Sequence, residues 1–435
     1  MGRRDSRAGW LGAVVVAMPL MVSSLICGSV SRVTAAPVAA APVAAAPVAV
    51  SPVAVSSADL RPVASVGIDT SKRSAVRSAL VKKLRPALRT PIGWSGSASA
   101  CRAGAPSARA QSSTLVAINF FRAMGRLDPV TLDRALSAPA QKAALMMDAN
   151  FALDHDPPPS WSCWTEAGAD AAGQSNLCLG CSGAEAVAAY MSDSGDGNGA
   201  AGHRRWLMYP QTTVMGSGST ERANALMVFG SDGMQSSNLP TWVSWPPPEY
   251  FPTELEPGGR WSLSASSAAV TFAVAKVVVT TAVGAKLKVE PETVVNGYGS
   301  NTLVWQVAGL KLPSGTTPRR LDVAVTGIHR GDEVLSHRYS VRLFNADARL
   351  KNTKAPRLTG EASVGHPLKV KVGTWSPAAT SYSYAWYRGS ALIAGAVKAS
   401  YTLRTADAGK KITAQVTAHR GGYADGVLRT PPRSV

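Results

Sequence analysis

The sequence predicts an α+β protein in which one helical region precedes two regions of short strands. Apolar residues recur at helical spacing from Gln111 onward, whereas short β-type runs separated by turns dominate after Trp242. The stiff run Trp245-Pro246-Pro247-Pro248 stands between the two patterns. Of the 435 residues, 46% are hydrophobic and 17% are charged, so the chain can bury cores and is not wholly disordered.

The N-terminus has the pattern of an export signal. Three arginines precede a mostly apolar stretch from about Trp10 to Cys27, and Val33-Thr34-Ala35 offers small residues for cleavage. We therefore predict a signal peptide over residues 1–35 and a secreted or envelope-associated protein without a transmembrane span after cleavage. An uncleaved membrane anchor is the alternative, but alanine- and proline-rich sequence follows at once.

Residues 36–110 are predicted to be an Ala/Pro/Val-rich and basic linker. A five-residue unit repeats from Ala36 to Val55, and its prolines block helix propagation. The segment around Ser74 to Leu84 favours a short basic helix that ends before Pro86.

Residues 111–235, here called the helical region, contain the predicted helices. Ala138-Pro139 predicts a helix that runs to about His155 and places this histidine on its apolar stripe. Ser182 and Glu185 form a capping box for a later helix. Two β-type runs then follow, at 213–218 and 225–230.

Two strand-rich regions follow, the middle region (residues 236–350) and the terminal region (residues 354–435). Their short runs and turns predict a β-sandwich in each, with Trp386 as a core residue of the second. The runs are 261–265, 268–281, 303–307, 321–328 and 339–344 in the middle region, and 368–372, 382–388, 400–403 and 412–418 in the terminal region.

Four cysteines remain once the signal peptide is removed: Cys101, Cys163, Cys178 and Cys181. In an exported chain they predict two disulfides, with three possible connectivities. The C-x-x-C spacing of the last two is also found in redox pairs and in zinc sites. The sequence lacks the βαβ context of the former and the second such pair of the latter, which favours structural disulfides.

Several segments of the helical region occur in the order typical of one protein family. They are His155, Ser175-Asn176-Leu177, the Gly-His-Arg-Arg-Trp-Leu-Met-Tyr-Pro run 202–210, and the two β-type runs. In this order they resemble a bacterial member of the CAP superfamily, which includes cysteine-rich secretory proteins, insect venom antigen 5 and plant pathogenesis-related proteins. The resemblance covers roughly residues 111–232 and implies an α-β-α sandwich and an extracellular location.

The resemblance also implies a central cleft with two histidines and two glutamates, which in some members holds a divalent metal. The histidines correspond to His155 and His203. One glutamate is replaced by Ser175, with Gln174 beside it, and the other corresponds best to Asp193. Two imidazoles and one carboxylate are a candidate zinc site. We favour the alternative, in which both histidines are hydrogen-bonded cleft residues.

The terminal region carries a second resemblance. Segments 363–365, 373–377, 384–388 and 406–410 resemble in order an immunoglobulin-like repeat of bacterial surface and secreted proteins. Such repeats act as spacers or adhesion modules, which implies a role in display or attachment.

Three functions are compatible with these patterns. The first is a non-enzymatic protein whose CAP cleft binds a lipid-like molecule or a peptide, with the strand-rich regions for display or attachment. The second is an extracellular hydrolase that uses His155 and His203, with or without metal. The third is an adhesion protein in which the CAP domain is a scaffold. No catalytic residue is assigned, because the Gly180-Cys181-Ser182-Gly183 run departs from the G-x-S-x-G pattern.

The net charge of +18 is unevenly distributed. Residues 36–110 carry a net +8 and residues 351–435 a net +10, whereas the helical region is acidic, with seven basic and twelve acidic residues. The acidic candidate domain argues against nucleic-acid binding. The basic parts favour an anionic cell-envelope polymer as partner.

Overall fold

The computed structural model describes Val14–Val15, residues 67–229 and residues 239–435. The rest of the predicted signal peptide, the five-residue repeat and the predicted strand end at Gly230 lie outside these residues. No helix in the described part of the chain is long and apolar enough to cross a membrane.

Residues 73–88 form one continuous helix within the segment assigned to the linker. It comprises α1 (Arg73–Ala79), a π-helical turn (Leu80–Leu84) and α2 (Arg85–Leu88). Val76, Leu80 and Leu84 are fully buried in a core shared with the helical and middle regions. The helix does not end before Pro86, because the π-helical turn precedes this residue and changes the hydrogen-bond pattern that its missing amide would interrupt.

The helical region packs five helices around one sheet. The sheet has the strand order β1-β3-β5-β4-β2. Helices α4 and α5 contact β3 and β5. Helix α6 contacts β3 and β4, and α3 packs against α6. The strands are β1 (Val14–Val15), β2 (Thr131–Leu132), β3 (Ser175–Leu179), β4 (Val214–Ser219) and β5 (Ala223–Met227). The helices are α3 (Ala108–Met124), α4 (Arg134–Asn150), α5 (Glu166–Gly173), α6 (Gly183–Ser192) and α7 (Gly202–Leu207), with a 3-10 turn at Asp196–Asn198.

Glycine allows α4 to lie directly on β4. A Cβ atom at Gly218 would lie 2.2 Å from the backbone nitrogen of Gln141, so only glycine fits this position. The β-type run 213–218 is therefore confirmed as a strand whose glycines serve helix packing.

Two local predictions about the helices are wrong. Helix α4 ends at Asn150, because Phe151 takes a left-handed conformation (φ +50°), so His155 lies in the following loop and not on a helical stripe. Ser182 is the N-cap of α6, but its side chain makes no capping hydrogen bond; the Gly183 amide donates to Ser219 Oγ instead (3.0 Å).

The predicted pair of disulfides is present. Cys101 pairs with Cys163, and Cys178 with Cys181. The first bond ties the segment before α3 to the loop between α4 and α5, so this part of the assigned linker is fixed to the helical region.

The middle region contains two sheets. Their strands pair antiparallel, except that β7 and β14 pair in parallel. Their strand orders are β10-β13-β14-β7, with β9 on β13, and β11-β12-β8-β6. The strands are β6 (Trp242–Trp245), β7 (Glu249–Pro252), β8 (Arg260–Ala265), β9 (Val270–Thr271), β10 (Lys276–Thr281), β11 (Val289–Pro291), β12 (Thr302–Val307), β13 (Arg319–Arg330) and β14 (Glu333–Phe344), with a 3-10 turn at Thr253–Leu255.

The terminal region has three small sheets. Their orders are β15-β18, β16-β17-β21 and β20-β19-β22-β23, with β24 on β22. Trp386 is fully buried at the centre, as predicted, and its indole donates to the Lys398 carbonyl (2.9 Å). The strands are β15 (Lys351–Lys354), β16 (Arg357–Thr359), β17 (Pro367–Lys371), β18 (Thr374–Ser376), β19 (Ser381–Arg388), β20 (Ala391–Leu392), β21 (Ser400–Thr402), β22 (Lys411–His419), β23 (Gly426–Arg429) and β24 (Arg433–Ser434), with a 3-10 turn at Thr405–Asp407.

One hydrophobic core runs from the helical region into the middle region. Phe121 of α3 contacts Trp245 of β6 edge-on (5.8 Å between ring centroids), and Trp245 contacts Phe251 of β7 (5.0 Å). The terminal region has separate, smaller clusters. The helical and middle regions are thus packed as one body.

Candidate functional site

The candidate residues converge where α6 ends and α7 begins. Asp193 follows the last residue of α6 in a left-handed conformation (φ +49°), which turns the chain and leaves its carboxylate inside the protein. His203 lies in the first turn of α7, and Ser175 begins β3. The structure therefore brings these three predicted cleft residues together from separate elements.

The Asp193 carboxylate holds His203 in place. Nδ1 of His203 donates to Asp193 Oδ1 (2.8 Å), and the Arg204 amide donates to Asp193 Oδ2 (3.2 Å). The His203 ring also stacks on Tyr190, with 5.4 Å between ring centroids. Both members of the pair are buried, so Asp193 orients the histidine from behind and does not point into the cleft.

His155 reaches the same cleft from the loop after α4. Its Nδ1 donates to the Ala172 carbonyl at the end of α5 (2.9 Å). Ser175 Oγ, at the position where the family resemblance places a glutamate, is buried and has no hydrogen-bond partner among the residues that the structure describes. Both imidazoles thus use Nδ1 in structural hydrogen bonds.

The cleft is nearly filled by protein. Among the residues that the structure describes, the cleft leaves a free volume of about 10 Å³. That is room for about one water. Its walls are His155, Ser175, Asn176, Gly202, His203, Trp206, Val228, Phe229 and Tyr298.

Tyr298 comes from the middle region and closes the cleft. Only 7% of its surface is exposed, and a Cβ atom at Gly202 would lie 2.9 Å from its ring. The absence of a side chain at Gly202 therefore makes room for the tyrosine. Burial raises the pKa of Tyr298, so the phenol is neutral at physiological pH.

Arg205 lies two residues after His203 in α7 and fixes the loop that carries Tyr298. Its guanidinium donates to the carbonyls of Val295 (2.7 Å) and Ser300 (3.0 Å), on either side of Tyr298, and lies 5.4 Å from the tyrosine ring. The loop is therefore held on the cleft by buried charge-assisted hydrogen bonds.

Arg204 makes the equivalent contact with strand β8. Its guanidinium donates to the Arg260 carbonyl (2.9 Å) and to the carbonyls of Met191 and Ser192 at the end of α6. In return, the Arg260 side chain donates to the Asp193 carbonyl. The Gly-His-Arg-Arg run thus joins the two regions.

The cleft residues do not fit a zinc site. Zinc sites in proteins use at least three protein ligands. The Asp193 carboxylate is engaged by His203 and Arg204, which leaves two imidazoles. In the described parts of the chain, no group of three or more His, Cys, Asp or Glu side chains is placed to hold a metal ion.

Sequence reasoning missed the roles of Tyr298, Arg204 and Arg205. The available signal was the Asn-Gly-Tyr-Gly run 296–299, in which glycines flank a large aromatic residue. Both Gly297 (φ +96°) and Gly299 (φ +60°) take left-handed conformations that let the tyrosine project from a tight loop.

The terminal region contains another hydrogen-bonded histidine. His419 bonds through Nε2 to Ser383 Oγ (2.9 Å) and through Nδ1 to Asp425 (2.9 Å), the connectivity of a serine hydrolase triad. The side chains of His419 and Asp425 are 35% and 50% exposed. Acyl transfer needs a water-excluding site with oxyanion donors, so we assign these bonds to structural contacts that join β19, β22 and the connection before β23.

Comparison with protein families gives one match, and it covers the cleft residues. Residues 115–229, which contain all four cleft candidates, match the family model described as "CAP: Cysteine-rich secretory protein family". The match supports a CAP domain in about a quarter of the chain. The comparison with curated proteins gives no match.

Solved structures resemble the chain only weakly. The CsuC–CsuE chaperone–tip adhesion subunit complex of Acinetobacter baumannii is 10% identical, with a TM-score of 0.19, and covers 44% of this chain and 98% of its own. The CupB2 chaperone of Pseudomonas aeruginosa is 11% identical, with a TM-score of 0.16, and covers 42% and 95%. At these TM-scores neither structure supports an inference about this chain.

Proposed function

We propose that this chain is an exported, non-enzymatic CAP-domain protein that is retained at the cell envelope, with the CAP domain as a rigid platform for the strand-rich regions. The observation that carries the proposal is the closure of the cleft by Tyr298 of the same chain. The two disulfides and the N-terminal pattern are typical of an exported protein.

The closed cleft argues against the two functions that need it open. A lipid-like or peptide ligand would have to displace Tyr298 together with the loop bound by Arg205. A hydrolase would need a substrate-sized space beside His155 and His203, and the cleft holds about one water. We therefore assign display and attachment to the strand-rich regions, which we propose are immunoglobulin-like.

Replacement of both cleft histidines tests this proposal. We expect the His155→Asn/His203→Asn protein to remain in the envelope fraction to the same extent as the wild type, because the proposal assigns attachment to the strand-rich regions and not to the cleft. Asparagine retains hydrogen-bonding capacity beside Ala172 and Asp193, and thermal unfolding would verify that the variant folds. The measurement is the fraction of protein that co-sediments with isolated envelopes.

Two further assays on the wild-type protein complete the test. We expect no stoichiometric zinc after purification in zinc-containing buffer, and no hydrolysis of cell-wall or peptide substrates. Release of the folded histidine variant from envelopes, or hydrolysis that this variant lacks, would show that the cleft is a functional site and would overturn the proposal.

A further inference from the structure

The small sheet β16-β17-β21 presents a positively charged face. We propose that this face binds a linear envelope polyanion whose repeating charged group is a phosphate or a carboxylate. The inference rests on the proposed function, since it identifies the surface through which the chain would be retained.

Strand register places three cations on this face. Arg357 of β16 is paired with Lys371 of β17, and Lys369 is paired with Thr359 on one side and Ser400 on the other. Directly paired residues, and residues two apart in a strand, share a face. All three cations are exposed, whereas Leu358 and Leu368 are buried and Val370 is partly buried on the opposite face.

No acidic residue of the terminal region forms an ion pair with these three cations. The three strands contain neither aspartate nor glutamate. The only acidic residues of the terminal region, Glu361, Asp407 and Asp425, contact His366, Arg388 and His419 respectively. Within the described chain, Arg357, Lys369 and Lys371 therefore lack ion-pair partners. Like charges on directly opposed residues destabilise a sheet, and a bound anion relieves this repulsion.

The positive charge continues beyond the three cations. The Val370 amide donates to the Ala399 carbonyl (2.9 Å), which brings exposed Lys398 beside the end of β17. At the same end, Gly373 lies against the Lys354 carbonyl, since a Cβ atom on Gly373 would be 1.9 Å away. Cations thus follow one another along the sheet, with about 7 Å between Lys369 and Lys371.

The form of the face favours an extended polymer over a nucleic acid. Cations that follow one another along a sheet can meet successive charges of a linear chain, whereas single-stranded nucleic acids also need aromatic side chains on which bases stack. The outward residues are Arg357, Thr359, Pro367, Lys369, Lys371, Ser400 and Thr402, none of them aromatic. Their hydroxyls can donate to phosphate or carboxylate oxygens.

Charge removal at matched positions tests the proposal in the full mature chain. The face variant is Arg357→Gln/Lys369→Gln/Lys371→Gln. The control, Lys410→Gln/Lys411→Gln/Arg429→Gln, removes the same charge from exposed positions in or next to strands β22 and β23 of the sheet β20-β19-β22-β23. Affinity would be measured for poly(glycerol phosphate), polygalacturonate and a single-stranded DNA oligonucleotide at low and physiological salt.

We expect the wild type to bind at least one of the two envelope-type polymers, and to bind it more tightly than DNA, with affinity that falls as salt rises. The face variant should bind that polymer at least about tenfold more weakly at low salt, and the control less than about twofold more weakly. The polymer that is bound distinguishes phosphate from carboxylate as the recognised group. Unfolding curves would show that both variants are folded.

Equal weakening in the two variants would show that net charge alone is responsible and would overturn the inference, as would preference for DNA. Unchanged polymer binding by the face variant would also overturn it. In that last case, envelope retention of the cleft-histidine variant would still support the proposed function, so the two failures are distinguishable.

Discussion

Two adjacent arginines of α7 connect the CAP domain to the middle region. Arg204 and Arg205 are both buried, and their partners outside the CAP domain are mainly backbone carbonyls. Burial lowers the pKa of each to about 10, so both remain charged at neutral pH. The planar guanidinium, with five donors, can bond several carbonyls at once, which a lysine cannot reproduce.

Arg205→Met should destabilise the protein. The change keeps an apolar stem but leaves the Val295 and Ser300 carbonyls without their donor, at a cost of about 2–4 kcal/mol in the free energy of unfolding. Chemical denaturation would measure this. The control is Arg338→Met, at an exposed position of β14, with an expected change within about 0.5 kcal/mol. Similar values for the two variants would contradict the role of Arg205.

At the residue scale, the sequence predicted positions better than roles. The family resemblance located His155, Ser175, Asp193 and His203, all of which lie in or beside the cleft. It could not show that Tyr298 fills the cleft, because that contact joins residues about a hundred positions apart. Such pairing depends on how two regions pack and leaves no local pattern in the chain.

The helix over residues 73–88 shows the same limit at the scale of an element. Its basic residues suggested a solvated segment, yet they lie between buried apolar residues at helical spacing. The cations are used within the protein. Arg73 donates to the carbonyls of Thr316, Asn345 and Gly422, and Arg85 pairs with Glu254 and Asp347.

Leu80→Ala tests whether this helix belongs to the core. Leu80 is fully buried, so its truncation should lower the free energy of unfolding by about 2–5 kcal/mol. Lys82→Ala, at an exposed position of the same helix, should change it by no more than about 0.5 kcal/mol. If Leu80→Ala were as mild as the control in urea unfolding, the segment would be a linker after all.

Strands were predicted more accurately than helix ends. The run 261–265 lies within β8 and the run 303–307 within β12, because a short run of strand-forming residues between turn residues is a signal of the local sequence. The end of α4 was missed because Phe151 adopts a left-handed conformation, which a residue other than glycine rarely takes.

At the scale of the whole molecule, the sequence-based boundary at residue 235 does not separate two cores. Trp245 and Phe121 belong to the same cluster, and Arg205 and Tyr298 join the regions at the cleft. We propose that residues 67–350 fold as one unit and that the terminal region, with its own clusters, folds separately.

The structure also changes which part of the chain the positive charge of the predicted linker belongs to. Residues 36–66 hold one aspartate and one arginine, so the positive charge assigned to the linker lies in residues 67–110. Part of this charge lies in side chains that bond to the middle region and, through Arg73 and the Gly422 carbonyl, to the terminal region. The terminal region therefore remains the main candidate for contact with an anionic envelope.

The central claim is that the cleft is a packed contact between the helical and middle regions, which together form one folded unit. Native-state hydrogen exchange at increasing denaturant tests it most directly, because α3 and β12 report separately on the two regions. We predict that their slowest amides share one free energy of opening and that Arg205→Met lowers both values equally. Different free energies in the wild type, or a variant that affects β12 alone, would contradict the account.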